Sequence, residues 1–322
     1  MVINESFLKS FLIKNKIRNP DFEKIDTDAS FRKYFRIKNK NLLIMYAPKN
    51  RGESLENFKK INEILSSLNL SVSKIYDVDY QANLMLLEDF GDNIFSKKLS
   101  SKNEKYFYEE AIRLLSYIVN NSNSETIQLK PYSFEVLLDE SYLFIEWYIK
   151  KHLRLNVDDF IKEEFSQILR EIFNSLNIQQ NTLVLRDFHV DNLFHLEKRA
   201  GLNQIGLIDY QDALLGSRVY DLTSLIEDVR RPITMDLKIS LIKQFSKSIA
   251  VEMNKLENEI SFYSIQRNLK IIGIFSRLKY RDNKENYIPL IKNSWNFINQ
   301  HLEKPQYTKL KKWMDNILRE KK

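Results

Sequence analysis

Cysteine is absent from the 322 residues. That excludes disulfides and thiolate metal ligands and is in keeping with a cytoplasmic protein. Glycine and proline number only six each, so no flexible linker, low-complexity tract or repeat punctuates the chain. Histidine is rarer still, at four, and His189 has no His or Glu partner at the spacing of a zinc site. No apolar run approaches the roughly 20 residues needed to cross a bilayer. The opening MVINESFLKSFLIKNK lacks the apolar core and small-residue cleavage site of a secretory signal. Its apolar positions recur at helical spacing instead, which predicts an amphipathic helix.

The composition that remains, 43% hydrophobic and 29% charged, is that of a soluble globular protein. It is long enough for two lobes with a core each. The net charge of +7 is uneven: 231–322 carry 19 basic and 9 acidic residues, leaving the preceding part slightly acidic. These lysines are scattered among apolar residues without the arginine and aromatic interleaving of a nucleic-acid platform. They read as a solvated helical surface, and neither a nucleic-acid nor a membrane partner is expected.

FEKIDT, SFRKYFRI and NLLIMYA are rich in aromatic and β-branched residues, and 39–41 (NKN) punctuates the last two as a hairpin turn. SLENFKKINEILSSL places apolar side chains at 55, 58, 61, 64, 65 and 68, a helix for which Ser54 is a cap. SKIYDVD and NLMLLED follow as two more strands. Three strands, a helix and two strands predict an α+β lobe with a five-stranded antiparallel sheet, since a doubly wound sheet would alternate helix with every strand. From about Asp92 the periodicity turns helical, near 103–121, 134–152 and 157–176, and again from 220 onward. Short strands are predicted at 183–186, 193–196 and 204–208. The expected lobes are 1–90 and 91–322, with the boundary at Glu88–Asp92.

The stretch from Leu183 to Asp221 holds the residues that can carry chemistry. Asp187 follows the apolar LVL, where a strand ends and a loop begins, the usual place for a functional side chain. Alone it would read as a turn residue. Asn192, five positions on, lets a D-x-x-x-x-N loop present a base and an amide oxygen to one cavity. Asp209, after IGLI, supplies a second carboxylate. Magnesium takes oxygen ligands, so Asn192 and Asp209 with phosphate oxygens and waters suffice to hold it. A base, an amide oxygen and a carboxylate in this order are what phosphoryl transfer needs.

LRDFHVDN and IDYQD resemble the catalytic and metal-binding loops of kinase-like phosphotransferases, the superfamily of aminoglycoside and choline kinases. TDASFRKYFRI, LLIMYAPK, LMLLEDFGD, IEWYIKKHL, RDFHVDNL, IDYQDALLG and YDLTSLIEDV together are similar to the bacterial sugar kinases of peptidoglycan recycling, over about 25–230. Those enzymes phosphorylate the anomeric hydroxyl of N-acetylmuramate and N-acetylglucosamine. The resemblance implies a protein-kinase-like two-lobed fold and a kinase that uses ATP and Mg2+. It makes Asp187 the catalytic base and Asn192 and Asp209 the metal ligands. The turn Asp28-Ala29-Ser30 would cover the nucleotide phosphates, a role its backbone N–H groups and the Ser30 hydroxyl can also fill on chemical grounds. Glu88, Asp89 and Phe90 occupy the hinge that pairs with adenine. Glu146 and Trp147 can face the acceptor sugar or simply pack. His189 reads as a loop residue near the acceptor, and Asp228 as a sugar contact or a surface residue. Asp221, with Arg186, braces the catalytic loop. The acceptor is expected to be a small amino sugar and the protein a monomer.

The sequence departs from that pattern in three places. The His that usually precedes the Arg-Asp pair is Leu185. The strand that should carry a phosphate-pairing Lys has Met45, and the next helix has Lys60 where a partner Glu is sought. Arg32, Arg36 and Lys49 are the candidates to replace that Lys. DASF contains no glycine, so no Gly-rich loop is present. Two alternatives stand beside the amino-sugar reading. One is a kinase of another small alcohol, an aminoglycoside or a choline-like cation, although a cationic acceptor suits the basic 231–322 poorly. The other is a nucleotide-binding pseudokinase or scaffold.

Overall fold

Alternating apolar residues build the first sheet. A computed structural model describes residues 5–18, 20–25, 31–49, 52–122, 125 and 127–319. In it, β1 (Phe22–Ile25), β2 (Lys33–Ile37), β3 (Leu42–Tyr46), β5 (Ile75–Asp79) and β6 (Leu84–Glu88) pair antiparallel in the order β1-β2-β3-β6-β5. This is the expected five-stranded sheet. Asn39 and Asn83, with φ of 58° and 56°, turn two of its hairpins in the left-handed conformation that asparagine tolerates. One face of the sheet, with Phe35, Ile37, Ile44, Leu84 and Leu86, packs on Leu8, Phe11 and Leu12 of α1 (Glu5–Lys14). Burying three such side chains contributes about 1.5–3 kcal/mol each. Met45, Met85 and Leu87 point the other way and are buried too. Helix α2 (Leu55–Ser67) follows β3, and the Ser54 hydroxyl accepts from the Asn57 amide at 3.0 Å, as a cap should.

A second, three-stranded sheet is formed by chain segments far apart in sequence. The short β4 (Ser71–Val72) runs parallel to β9 (Ile205–Leu207), which pairs antiparallel with β8 (Leu193–His195). Gly206 is required here: a Cβ would lie 2.8 Å from the Phe90 ring. With α3 (Phe95–Lys98), these elements form the first of two compact units, Met1–Glu110 with Val190–Ala213. The second unit is Ala111–His189 with Leu214–Lys322. The expected boundary at Glu88–Asp92 falls inside the first unit.

The second unit is helical, as expected. Helix α4 (Glu104–Asn121) leads into it. Helix α5 (Phe134–Leu143) widens into a π-helix, Phe144–Leu153, within what periodicity reads as one helix, and Arg154 ends it at φ 61°. The widening begins where α9 (Met253–Asp282) packs against the end of α5: a Cβ on Gly273 would sit 2.3 Å from the Leu143 carbonyl carbon. Between these come α6 (Asp159–Ser175), β7 (Thr182–Val184), β10 (Leu214–Gly216), α7 (Tyr220–Ile226) and α8 (Met235–Ser248). Strand β10 pairs antiparallel with β7. Helices α10 (Ile291–Leu302) and α11 (Thr308–Arg319) complete the unit. Among the described residues, no helix is long and apolar enough to cross a membrane.

Candidate active site

In the first unit, the β8–β9 hairpin sets the geometry. Leu193 faces Leu207 in its register, and the Ile208 amide donates to the Asn192 carbonyl at 3.2 Å. Asn192 and Asp209 therefore sit at the same open end of the hairpin. Asp209 is held at φ 59°, a left-handed conformation uncommon outside glycine, and its side chain is 45% exposed. Strain of this kind persists only where the surroundings enforce it. The neighbouring Tyr210 supplies part of that enforcement: its buried hydroxyl accepts from Asn62 at 2.7 Å, and its ring packs on Phe58. An amide oxygen and an accessible carboxylate at one hairpin end are hard oxygen donors that fit magnesium.

Beside Asp209 lies Arg32, which is buried. Its Nε donates to Glu53 at 2.6 Å, and its Nη1 to Gln211 Oε1 at 2.6 Å and to Asp209 Oδ1 at 3.4 Å. Gln211 in turn donates to Asp209 at 3.2 Å and to Asp212 at 3.1 Å. Burial opposes the charge of Arg32, but Tyr34, Glu53 and Asp209 hold its pKa above the ordinary value.

The hinge residues are held by the sheet and its neighbours. The amides of Glu88 and Asp89 donate to the carbonyls of Lys74 and Asn41. The Glu88 carboxylate accepts from Arg199 at 2.5 Å, and Asp89 pairs with Arg36. Phe90 packs on Phe194, with the Arg199 guanidinium over its ring. Asp28, Ala29 and Ser30 lie outside the described residues.

In the second unit, the catalytic-loop candidate leaves β7 through Leu185 and Arg186, the latter at φ 75°. The buried Asp221 carboxylate, at the start of α7, accepts from the amides of Leu185 at 2.6 Å and Arg186 at 2.9 Å. Asp221 thus braces the loop from a helix start. Burial pushes its carboxyl up to about 7 although both amides pull the other way. The Arg186 guanidinium pairs with Glu140, which also accepts from Lys270 at 2.9 Å and Tyr132 at 2.5 Å. Asp187 follows with its side chain exposed.

Arg267 on α9 belongs to the same unit and is buried. It donates to Ser224 at 2.8 Å and lies 5.5 Å from the Tyr220 ring centre. Burial opposes its charge, whereas Tyr220, Asp187 and Asp228 favour it and prevail. Asp228 is buried; its Oδ1 accepts from the Arg230 amide at 3.0 Å, while its Oδ2 has no hydrogen-bond partner among the described residues. A buried carboxylate oxygen without a donor calls for a ligand hydroxyl or water. His189 is half-buried in the same loop. Glu146 instead pairs with Lys150 and Lys162 at 3.3 and 3.2 Å on the π-helix, and Trp147 beside it is half-buried.

Residues 21–250 match the phosphotransferase enzyme family (APH). The chain belongs to this family. Its relatives include the N-acetylmuramate/N-acetylglucosamine kinase of Neisseria meningitidis, 29% identical over 84% of this chain and 82% of that protein. The enzymes of the same name from Pseudomonas putida and Caulobacter vibrioides are 28% and 26% identical, over 85% and 79% of this chain and 81% and 72% of theirs. Among solved structures, choline kinase LicA from Streptococcus pneumoniae superposes with a TM-score of 0.67 at 14% identity, covering 92% of this chain and 99% of that one. The ADP-bound aminoglycoside phosphotransferase APH(2'')-Ib gives 0.63 at 12% identity, covering 95% and 99%. Family membership makes the chain a phosphotransferase, with the kinase-like fold that the resemblance implies.

Sequence reasoning did not single out Arg267, Glu140, Lys270, Glu53 or Gln211. For Arg267 a signal existed. It is a lone arginine in the run ISFYSIQRNL, which is buried throughout, and a charge that deep needs partners.

Proposed function

We propose that this phosphotransferase moves the γ-phosphoryl group of ATP onto the anomeric hydroxyl of an N-acetylated amino sugar of the N-acetylmuramate and N-acetylglucosamine kind. The observation that carries the reading is that four relatives, 26–29% identical over 79–85% of the chain, are named as kinases of these two sugars. In the proposed reaction Asp187 orients the sugar hydroxyl and takes its proton as the oxygen bonds to phosphorus. The bond from the γ-phosphorus to its bridging oxygen breaks, and ADP leaves. Asn192 and Asp209 would hold Mg2+, which neutralises phosphate charge. Asp221 keeps the loop carrying Asp187 rigid by gripping two of its amides, and Arg186 ties that loop to Glu140 on α5. The open Oδ2 of Asp228 suits a sugar hydroxyl. The hinge at Glu88–Phe90 and the turn at 28–30 would take the nucleotide's base and phosphates. The proposed setting is the cytoplasm, with the protein acting as a monomer.

Incubation with MgATP and a panel of N-acetylmuramate, N-acetylglucosamine, choline and an aminoglycoside, followed by NMR of the products, tests this. A 1-phosphate on the N-acetyl sugars is expected. Transfer only to choline or the aminoglycoside, or to a different sugar hydroxyl, overturns the substrate assignment.

A further inference from the structure

In kinase-like folds a lysine on the third strand of the nucleotide lobe grips the phosphates, held by a glutamate from the following helix. Strand β3 of this chain, LLIMY, offers no cation, and Met45 is fully buried between Tyr34 of β2 and Met85 of β6. A nucleotide triphosphate needs that charge from elsewhere in the same unit. Three residues were open candidates.

Two of them are otherwise engaged. The Arg36 guanidinium is bound by Asp89 through Nε and Nη2, by both oxygens of Asp92 through Nη1, and by the Gly91 carbonyl. These contacts fasten the end of β6 to β2. Lys49 is exposed, and its Nζ donates to the Tyr80 carbonyl at 3.2 Å. Arg32 differs in two respects. It lies 3.4 Å from Asp209, the carboxylate assigned to the metal. It is also oriented by an acid at the entry of α2, since Glu53 directly precedes the Ser54 cap.

We propose that Arg32 is the cation that binds the nucleotide phosphates, aimed by Glu53, and that this Arg–Glu pair does the work of the missing lysine–glutamate pair. The proposal rests on the kinase reading above. Metal-bound phosphate oxygens lie about 2 Å from the ion, as its protein ligands do. A guanidinium beside one of those ligands is therefore within reach of the same phosphate. A guanidinium also suits the task because its fork pairs two phosphate oxygens at once. The pair sits where β2 and α2 begin, so it leaves β3 free to be apolar on both faces. That accounts for Met45 and for Lys60 together: neither position is asked to carry the ion pair.

The test compares binding of MgATP, MgADP and adenosine to the full-length wild type, Arg32→Gln, Arg32→Lys and Glu53→Gln, by displacement of a fluorescent nucleotide and without any sugar. Arg32→Gln is expected to weaken MgATP and MgADP by about 10- to 100-fold while leaving adenosine unchanged. Arg32→Lys restores part of that loss, and Glu53→Gln weakens the phosphorylated nucleotides less than Arg32→Gln does. An Arg32 with a purely structural role would alter adenosine and MgATP in equal proportion, or change only the melting temperature, and either result overturns the proposal. Arg32→Lys keeps the charge and carries the same ratio test if Arg32→Gln does not fold. A wild type that ignores MgATP altogether would overturn the kinase reading itself, and a wild type that binds MgATP as tightly as Arg32→Gln overturns only the role of Arg32.

Discussion

Asp187 is exposed while the two residues before it are fixed, Leu185 and Arg186 through their amides to Asp221. A base on a loop held in this way can be removed without disturbing the fold. Asp187→Asn should therefore melt within about 1 kcal/mol of wild type, as exposed substitutions do, and bind MgATP normally. Its kcat should fall about 10²- to 10⁴-fold, the usual contribution of a general base. Near-normal kcat would show that some other group takes the proton. Asp187, Asn192 and Asp209 could be picked out as candidates in the sequence because that reading rests on local spacing and on the strands around them. Of their supports, Asp221 and Arg186 could be named, but Glu140, Lys270 and Gln211 could not. Glu140 meets Lys270 across 130 positions and Arg186 across 46. Arg32 meets Gln211 across 179. No local pattern encodes pairs so distant, and Arg32 was legible only as one of three cations.

At the scale of elements, the strands and α2 could be read because alternation, asparagine turns and a serine cap all act within a few residues. The two-residue β4 could not, since it exists only through its parallel pairing with β9. The change from α5 to the π-helix was hidden for a related reason. A stripe of apolar residues satisfies both helix types, and the wider one starts one residue after Leu143, where α9 comes near. Glycine in the middle of a helix ordinarily costs about 1 kcal/mol relative to alanine. At 273 the sign should reverse, because the added methyl would meet the Leu143 backbone at 2.3 Å. Gly273→Ala is expected to destabilise the protein by about 1–3 kcal/mol or more, read from urea unfolding. A stabilised variant would show that α9 does not need this close approach.

At the scale of the molecule, length allowed two lobes, but contact groups 190–213 with the first 110 residues. A chain that leaves a unit and returns to it gives no shift in composition at the crossing. The charge balance hides something similar. The basic excess of 231–322 reads as solvated surface, yet one of its lysines is buried. Lys238 donates to Glu227 at 2.6 Å, and the same carboxylate meets His301 at 3.1 Å and Ser264. Glu227 has no exposure at all. Burial pushes its carboxyl up, but the His301 hydrogen bond and the Lys238 charge outweigh that and hold it at about 2. A carboxylate depressed in the folded state contributes stability that is fully present above its unfolded value, about 4.3, and is lost as pH falls toward the folded one. The contribution is on the order of 3 kcal/mol. Glu227→Gln should lower the melting temperature at pH 7, because Lys238 is left buried without its counter-charge. Between pH 5 and pH 3 its curve should then fall less steeply than that of the wild type, so the two converge in acid. Parallel curves over that range would show that Glu227 titrates in the folded protein as it does in the unfolded chain, and that its carboxyl is not depressed.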